Sequence, residues 1–289
     1  MSNTSVTWWG HSTLWLTDSG STLLTDPVLT DRLAHLRRAA GPTPQLPGEP
    51  DAILLSHLHA DHFHLASLRA VPGKPLLIVP RGAAGFAAKA LGPRAASGPA
   101  SGLASGPASG PASGPASGPA SGLASRIVEL APGEQIAVGG VKVRGVPAAH
   151  DGGRGPWSRE RAHAMGFVVE GAARTWFAGD TGLFDGMSDL GPLDLALIPV
   201  GGWGPTLGSH GHLDAISGAE ALRRSRAGWA VPVHYGTLWP IGMARVRQHM
   251  FREPGVRFAE EAARVAPEAK VRVLNHGETL TINPIGHVA

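Results

Sequence analysis

The chain has no cysteine, and this absence removes three kinds of chemistry at once. Disulfide bridges, thiolate metal ligands and a cysteine nucleophile all require the thiol. Any metal ion must therefore be held by histidine and carboxylate side chains, and the sequence offers 14 histidines and 22 acidic residues for this purpose.

Long apolar runs are also missing. No stretch approaches the roughly 20 consecutive apolar residues of a membrane-spanning helix, and the start, MSNTS, lacks the basic and apolar regions of a signal peptide. We therefore expect a cytoplasmic protein with no transmembrane segment. With 289 residues, of which 43% are hydrophobic, the chain can fill a substantial core.

A strong charge imbalance is absent as well, because the net charge is only +3. Basic surfaces attract nucleic acid, but the only dense basic run is Arg223-Arg224-Ser225-Arg226, in a predicted helix. Such a run is usually the solvated face of a helix. We expect no nucleic-acid partner, and the sequence leaves the oligomeric state open.

Residues 97–124 consist of seven consecutive units of Ser-Gly-Pro-Ala or Ser-Gly-Leu-Ala. The repeat has no charge and almost nothing to bury, so it cannot offset its ordering entropy. It lies between a predicted helix and a predicted strand, and a surface loop absorbs such an insertion at a cost of about one or two kcal/mol. We predict a single domain over residues 1–289, with a flexible low-complexity insertion at residues 97–125.

Short β-rich runs separated by turn residues dominate the rest of the chain. The predicted strands are Val6–Trp9, Thr13–Leu16, Ser21–Leu24, Ala52–Leu55, Leu76–Val79, Arg126–Leu130, Val141–Val146, Gly166–Val169, Thr175–Ala178 and Leu195–Pro199. The predicted helices are Leu65–Ala70, Gly82–Leu91, Ala215–Arg226, Met243–Phe251 and Phe258–Ala263. This pattern predicts an α+β fold in which helices cover sheets.

A dense polar cluster follows the first predicted buried strand, in the segment His57-Leu58-His59-Ala60-Asp61-His62. In an extended chain, His57 and His59 project to the same side, while Asp61 and His62 follow where the chain turns toward a helix. Imidazole and carboxylate suit zinc, and also iron or manganese, so one segment can contribute to two adjacent ions. The alternatives are surface histidines in a polar loop, or a histidine-rich tract that binds metal adventitiously.

The same arrangement recurs downstream, which favours a metal site over a chance cluster. His150, Asp180 and His234 each end a β-rich run just before glycine or a turn. Functional residues concentrate where strands end in loops.

Together these residues resemble the signature of the metallo-β-lactamase superfamily, H-x-H-x-D-H followed by a distant histidine, an aspartate and a last histidine. The resemblance covers nearly the whole chain outside the repeat, including Trp8–Thr13, Leu24–Pro27, Ala178–Gly182 and His234–Thr237. Within the superfamily, the chain most resembles the branch of N-acyl-phosphatidylethanolamine-hydrolysing phospholipase D and the ascorbate-6-phosphate lactonases, through Gly10–Thr13, Thr25–Pro27 and His212–Ala221. The resemblance implies a four-layer αββα sandwich in which two sheets pack face to face.

The resemblance also implies two divalent metal ions, taken here as zinc with manganese or iron as alternatives. The implied ligands are His57, His59 and His150 for one ion, Asp61, His62 and His234 for the other, and Asp180 as the bridge. Two ions about 3.5 to 4 Å apart can lower the pKa of a shared water to around neutrality, so the nucleophile would be a metal-bound hydroxide. Asp61 is also a candidate catalytic residue, because it can orient that hydroxide.

Two further histidines have two interpretations each. His212 lies in a glycine-rich loop and is either a general acid or oxyanion donor for the departing group, or a histidine at a helix start that makes a local hydrogen bond. We include it with Asp61 as a candidate catalytic residue. His11 either supports the metal ligands from outside, or is a turn histidine with its own local partner.

Residues near the strand ends give clues to the substrate. Trp203 and Trp239 could wall an apolar cleft over the metals, although most aromatic residues are simply core. Arg154, four residues after His150, either meets a phosphate or carboxylate on the substrate or is a solvent-exposed loop arginine.

The sequence therefore predicts a dinuclear metal-dependent hydrolase of a phosphodiester or a related small ester. A lactonase or carboxylic-ester hydrolase is the first alternative, and a non-catalytic metal- or ligand-binding protein with the same fold is the second. The expected partner is a small-molecule or lipid-like ester substrate.

Overall fold

The computed structural model describes residues 3–92, 126–155, 158–202, 211–243 and 248–283. The predicted insertion at residues 97–125 lies outside these ranges, as does Trp203. Within the described ranges, no helix combines the length and the apolar character needed to cross a membrane.

Strands make up most of the regular structure. They are β1 (Thr4–Gly10), β2 (Thr13–Asp18), β3 (Ser21–Thr25), β4 (Arg32–Leu33), β5 (Leu36–Arg38), β6 (Ala52–Leu54), β7 (Leu76–Pro80), β8 (Ile127–Leu130), β9 (Gln135–Val138), β10 (Val141–Pro147), β11 (Met165–Glu170), β12 (Arg174–Phe177), β13 (Leu193–Pro199), β14 (Ala227–Val233), β15 (Leu238–Pro240), β16 (Lys270–Val271) and β17 (Thr279–Ile282). The helices are α1 (Leu65–Ala70), α2 (Ala84–Leu91), α3 (Ala215–Ser225), α4 (Gln248–Arg252) and α5 (Pro254–Val265), with a 3-10 turn at Asp185–Asp189.

Two seven-stranded sheets form the centre of the molecule. The first has the order β17-β1-β2-β3-β6-β7-β8, and the second has the order β16-β14-β13-β12-β11-β10-β9. Apolar side chains from both sheets, such as Val6 and Leu16 from the first and Phe167 and Leu197 from the second, share one buried core. A small third sheet has the order β15-β5-β4.

Helices cover the outer face of each large sheet. A second apolar cluster joins β12 and β13 to α3 and α5 through residues such as Leu222 and Phe258. A third joins β6 and β7 to α1 and α2 through Leu68 and Ala87. All seven residues of β13 are buried, because the first sheet covers one face of this strand and helices cover the other. The layers are helix, sheet, sheet and helix, which confirms the predicted α+β four-layer αββα sandwich.

The start of α3 is fixed by its sequence. The Asp214 carboxylate accepts the backbone N–H of Ser217 at 2.8 Å, and the Ser217 hydroxyl meets the backbone N–H of Asp214 at 2.9 Å. This reciprocal capping satisfies donors that a helix start would otherwise leave unpaired. It also fixes the end of the loop that carries Gly211 and His212.

Strand direction gathers the polar loops at one edge of the sandwich. In the second sheet, β12, β13 and β14 run parallel, and β10 shares their direction because it is antiparallel to β11, which is antiparallel to β12. In the first sheet, β3, β6 and β7 run parallel. The loops that follow β3, β6, β10, β12 and β14 therefore meet at common edges, as is typical of functional loops in α/β proteins.

All ten predicted strands are present. Helix α2 begins two residues later than predicted and α3 ends one residue earlier, and two further helix predictions differ more from the structure. Residues 244–247 lie outside the described ranges, so only the end of the predicted Met243–Phe251 helix is seen, in α4. The predicted Phe258–Ala263 helix is part of the longer α5, which begins at Pro254, where the fixed φ of proline suits a first helical turn.

Candidate metal centre

Four loops bring the predicted ligands together at the strand ends. The loop after β6 carries His57, His59, Asp61 and His62, and the loops after β10, β12 and β14 carry one ligand each. These last three residues are His150, Asp180 and His234.

One group consists of three imidazoles. His57 Nε2 lies 2.8 Å from His59 Nδ1, and His150 Nε2 lies 3.2 Å from that same nitrogen. The ring nitrogens of His57, His59 and His150 all lie within 4.8 Å of one another, a spacing that suits a shared metal ion.

A second group lies beside the first. His62 Nε2 is 3.2 Å from His234 Nε2 and 3.7 Å from Asp61 Oδ2. His234 Nε2 is 4.0 Å from the same Asp61 oxygen. These three residues were the predicted ligands of the second ion.

Asp180 lies between the two groups. Its Oδ2 is 3.2 Å from His62 Nε2, and its Oδ1 is 3.1 Å from His234 Nε2. A carboxylate oxygen of Asp180 also lies within 4.8 Å of ring nitrogens of His57 and of His150. This position is consistent with the predicted bridge.

The outer nitrogens of three histidines are engaged by partners away from the centre. His62 Nδ1 donates to Asp26 Oδ2 at 2.7 Å, and His150 Nδ1 donates to the Gly211 carbonyl at 2.8 Å. His57 Nδ1 lies 2.9 Å from the Ser56 hydroxyl. Because a neutral imidazole carries one proton, donation on the outside leaves the inner lone pair available, an arrangement characteristic of metal-binding histidines.

Burial and the neighbouring charges set the protonation states. Burial lowers the pKa of His57 well below its usual value, and it also lowers the pKa of His59 and His150, so these rings are neutral. Burial raises the pKa of Asp180, but the nearby His234 and His62 outweigh it and hold that pKa well below the usual range.

For His62 and Asp61, burial and the neighbouring charges again have opposing effects on the pKa. Burial disfavours a charge on His62, but the carboxylates of Asp180, Asp61 and Asp26 raise its pKa well above the usual value. Burial raises the pKa of Asp61, but His62 and His11 lower it well below the usual range. The second group therefore contains both carboxylate charge and an imidazole held in a strongly negative field.

The donor set fits divalent cations of the zinc, manganese and iron class. It consists of imidazoles, three of which have their outer nitrogens engaged elsewhere, and two carboxylates whose pKa values are held well below the usual range. In addition, Asp180 Oδ1 is buried and makes no hydrogen bond of good geometry with the described residues. A buried carboxylate oxygen left in this state is costly, and a cation would satisfy it.

The two other histidines flank the centre on different sides. His212 Nδ1 lies 3.5 Å from Asp180 Oδ2, and its ring centre is 4.5 Å from that of His150. Burial lowers its pKa to about 4, so the ring is neutral near pH 7.

His11 lies in a turn, but its ring belongs to the site. Its Nε2 is 3.1 Å from Asp61 Oδ2, and its backbone N–H donates to the Thr237 hydroxyl at 2.8 Å. Its φ of 51° is uncommon for a residue with a side chain and holds the ring toward Asp61. The interpretation as a histidine with only a local turn partner is therefore wrong.

The Arg154 side chain binds the backbone of the ligand segment, residues 57–62, and of Phe63 after it. It is half-buried, and its Nη1 donates to the carbonyls of Leu58 at 2.9 Å and Phe63 at 2.7 Å. Its guanidinium carbon lies 5.3 Å from the centre of the Phe86 ring. The interpretation as a solvent-exposed loop arginine is wrong, because the side chain is half-buried and its Nη1 binds backbone carbonyls on either side of Asp61.

Asp26 and Ser56 are members of the site that the sequence reasoning missed. Asp26 Oδ1 accepts the Ser56 backbone N–H at 2.8 Å, and its Oδ2 accepts the Ser56 hydroxyl at 2.5 Å as well as His62 Nδ1. The available signal was the Thr25-Asp26-Pro27 motif, whose aspartate follows β3 at the same edge as the ligands.

A cavity of about 140 Å³ adjoins the second ligand group. Its polar end is formed by His11, Asp61 and His234, and its walls are apolar. Trp239 is one of the wall residues, as predicted.

Comparison with known proteins gives a family and a fold. The family model described as "Beta-lactamase superfamily domain" matches residues 21–235. A protein of Mycobacterium tuberculosis is 29% identical over 283 residues, which cover 90% of this chain and 64% of the relative, so the chain spans less than two thirds of that protein. A metal-dependent hydrolase of Thermus thermophilus is 28% identical, with 96% of this chain and 99% of the relative covered.

A solved structure agrees with the observed layers. The metallo hydrolase of the archaeon Ignicoccus hospitalis superposes with a TM-score of 0.65 at 20% identity, and the match covers 97% of this chain and 98% of that one. At this identity the likeness concerns the fold.

Proposed function

Because the chain belongs to the metallo-β-lactamase superfamily, we propose that it is a metal-dependent hydrolase with a two-cation centre. The proposed ligands are His57, His59 and His150 for one cation, Asp61, His62 and His234 for the other, and Asp180 between them. One observation carries the proposal. Seven candidate ligands from four separate loops converge at one edge, and three of the imidazoles have their outer nitrogens engaged elsewhere.

Two divalent cations in such a centre supply the charge that lowers the pKa of a shared water and stabilises the attacking and leaving oxygens. Asp61 Oδ2 lies at the cavity end of the centre, held by His11 Nε2 at 3.1 Å, where it can accept a hydrogen bond from the attacking water and orient it. His212, on the far side of Asp180, is placed to donate a hydrogen bond to the departing oxygen.

We propose an ester as the substrate class, either a phosphodiester or a related small ester. The carboxylate between the two ligand groups supports the phosphodiester, because two cations can share the charge of a transferred phosphoryl group. The cavity favours the second candidate, a lactone or carboxylic ester, because none of its described lining residues is lysine or arginine. Membership of the phospholipase and lactonase branch stays a prediction.

The test combines metal analysis with a substrate panel. Protein purified with each of zinc, manganese and iron is analysed for metal per chain, and then assayed on phosphodiesters, lactones, carboxylic esters and amides. We expect two metals per chain and hydrolysis that chelation abolishes. His59→Ala should lose both metal and activity, while His163→Ala, which changes an exposed histidine outside the centre, should keep both. Two bound metals with no hydrolysis across the panel would favour the non-catalytic binding protein.

A further inference from the structure

The cavity beside the metal centre has one polar end and several apolar walls. His11, Asp61 and His234 form the polar end. The walls include Leu36, Leu238, Trp239, Met243, Met250 and Phe251. A molecule bound in this space would contact Asp61 and His234, which are proposed metal ligands, on one side and apolar side chains on the others.

Chain pairing builds the walls. Strand β15 pairs antiparallel with β5, which places Leu238 opposite Arg38 and Pro240 opposite Leu36. Because alternate residues of a strand share a face, this pairing brings the Leu36 and Leu238 side chains to neighbouring positions.

The indole of Trp239 is fixed in the wall. Its Nε1 donates to the Met243 carbonyl at 2.9 Å, and its ring packs edge-on against Phe251 with the ring centres 5.2 Å apart. Since the polar atom of the indole is already satisfied, the surface that it offers to the cavity is apolar.

This apolar cavity adjoins one side of the centre. Asp61 and His234, from one proposed cation group, line it, whereas His57, His59 and His150 of the other group do not. His212 lies beside His150 and Asp180, outside the lining. A substrate bound across the centre would thus meet hydrocarbon near Asp61 and imidazole near His150.

The volume limits what can bind. At about 140 Å³, the cavity is close in size to the apolar cavity of roughly 150 Å³ that binds benzene in another protein. It holds one aromatic ring or a short acyl chain, and a long lipid chain exceeds it.

We propose that this cavity is the subsite for a small uncharged apolar group attached to the scissile ester, either an aryl ring or a short acyl chain. The proposal rests on the proposed hydrolase function and specifies its substrate class. Each methylene buried there contributes about 0.8 kcal/mol, or about a fourfold gain in kcat/KM.

The test is a chain-length series on the metal-loaded protein. Methyl esters of straight-chain acids from acetate to dodecanoate are compared for the wild type, Leu36→Gln, Leu238→Gln and Ile241→Gln, because their alcohol part carries no aryl ring that could occupy the cavity. We expect kcat/KM to rise about fourfold per methylene over the first few carbons and then to level or fall. Leu36→Gln and Leu238→Gln should flatten this rise, while Ile241→Gln, beside the wall but outside the lining and 49% exposed, should leave it unchanged.

A binding experiment separates failure of the subsite from failure of the hydrolase. Benzyl alcohol binding is measured by NMR on the metal-loaded wild type, Leu238→Gln and Ile241→Gln. Weakened binding in Leu238→Gln alone supports the subsite even if no ester is hydrolysed. Ester hydrolysis that is independent of chain length, or that improves up to dodecanoate, overturns the subsite while leaving the hydrolase function intact. Equal binding by all three proteins overturns it too.

Discussion

His62 and Asp26 form a fully buried pair in which His62 Nδ1 donates to Asp26 Oδ2 over 2.7 Å. The same carboxylate accepts both the backbone N–H and the hydroxyl of Ser56. Its two oxygens are therefore committed to three donors, and the His62 ring is held with Nε2 toward Asp180 and His234. The orientation of one proposed ligand thus depends on a residue outside the ligand set.

Asp26→Asn should weaken metal binding. The amide replaces one acceptor oxygen by an NH₂ group, so at least one of the three donors faces another donor. Loss of such a partner typically costs 10- to 100-fold in metal affinity. Chelator competition with zinc should show this loss at one of two sites, with the metal content falling from two per chain toward one.

A matched control is Asp51→Asn, which alters an exposed carboxylate bound to the backbone N–H of Thr22 at 2.7 Å. It should leave both affinities unchanged. Full zinc affinity at both sites in folded Asp26→Asn protein would show that His62 is oriented by other contacts.

Asp61→Asn should separate metal binding from turnover. The amide keeps one oxygen that can serve as a ligand, but it is a poorer acceptor for the attacking water. We expect both metals to remain at saturating zinc, with kcat lower by about 100-fold, the range typical of a lost acid-base group. Full metal content with undiminished turnover would remove the proposed orienting role.

His212→Ala should lower turnover while both metals remain bound. The ring lies 3.5 Å from Asp180 Oδ2 and is not one of the seven proposed ligands. Loss of one hydrogen-bond donor to the departing oxygen costs roughly 100- to 1,000-fold in kcat in comparable sites. Metal content and kcat, measured on one preparation, distinguish the possible roles of His212. A drop in metal content would make His212 a ligand, and unchanged kinetics would leave it the local histidine of a helix start.

The strands were predictable because their signal is local. β-Branched and apolar runs bounded by turns mark β10, β11 and β13, and burial on both faces keeps β13 apolar throughout. Apart from β14, whose Trp229–Val233 part is the β-rich run that ends at His234, the strands that the sequence did not reveal are short or half exposed. β4 and β16 have two residues each, and β15 is only partly buried, so their pairing depends on neighbours far along the chain.

Residue type and strand-end position indicated the seven candidate residues, and the family resemblance supplied their proposed roles as ligands, whereas the contacts that support them were not predictable. Asp26 lies 36 positions before His62, and His11 lies 50 positions before Asp61. Nothing in local sequence pairs such residues until the sheet order brings β3 beside β6 and the turn after β1 to the same edge. Arg154 shows the same limit, because its backbone acceptors lie more than 90 positions away.

His276 should make the stability of the metal-free protein depend on pH. Burial, with a smaller effect from Arg38, lowers the pKa of His276 to about 4 in the folded state. In the unfolded chain the pKa is near 6.5, so below that pH the unfolded state takes up a proton that the folded state does not. This contribution to stability is present above about pH 6.5 and is lost as the pH falls toward 4.

Urea unfolding of the wild type and His276→Gln at pH 7 and pH 5 measures this effect. The other titrating groups are common to both proteins, so the difference between the two isolates His276. The wild type should lose more stability between the two pH values than the variant. Equal losses would mean that the His276 ring, which stacks on Trp8 with ring centres 4.7 Å apart, accepts a proton in the folded state.

Arg154→Met should destabilise the protein without a selective loss of charged substrates. The methionine retains much of the apolar stem but removes the donors to the carbonyls of Leu58 and Phe63, which lie on either side of Asp61. Hydrogen bonds from a charged group contribute about 1.5–3 kcal/mol, so a loss of about 2 kcal/mol in the free energy of unfolding is expected. Because these carbonyls belong to the ligand segment, zinc affinity should fall as well.

The control for Arg154→Met is Arg161→Met. Arg161 is exposed, and its side chain reaches backbone carbonyls only at 3.3–3.4 Å, so the substitution should change the free energy of unfolding by less than about 0.5 kcal/mol. Urea unfolding, zinc titration and KM for one anionic and one neutral ester are measured on both variants. A rise in KM confined to the anionic ester, with stability and zinc affinity intact, would return Arg154 to the role of substrate partner. A loss of stability with equal changes in KM for both esters would show that Arg154 stabilises the backbone of the ligand segment.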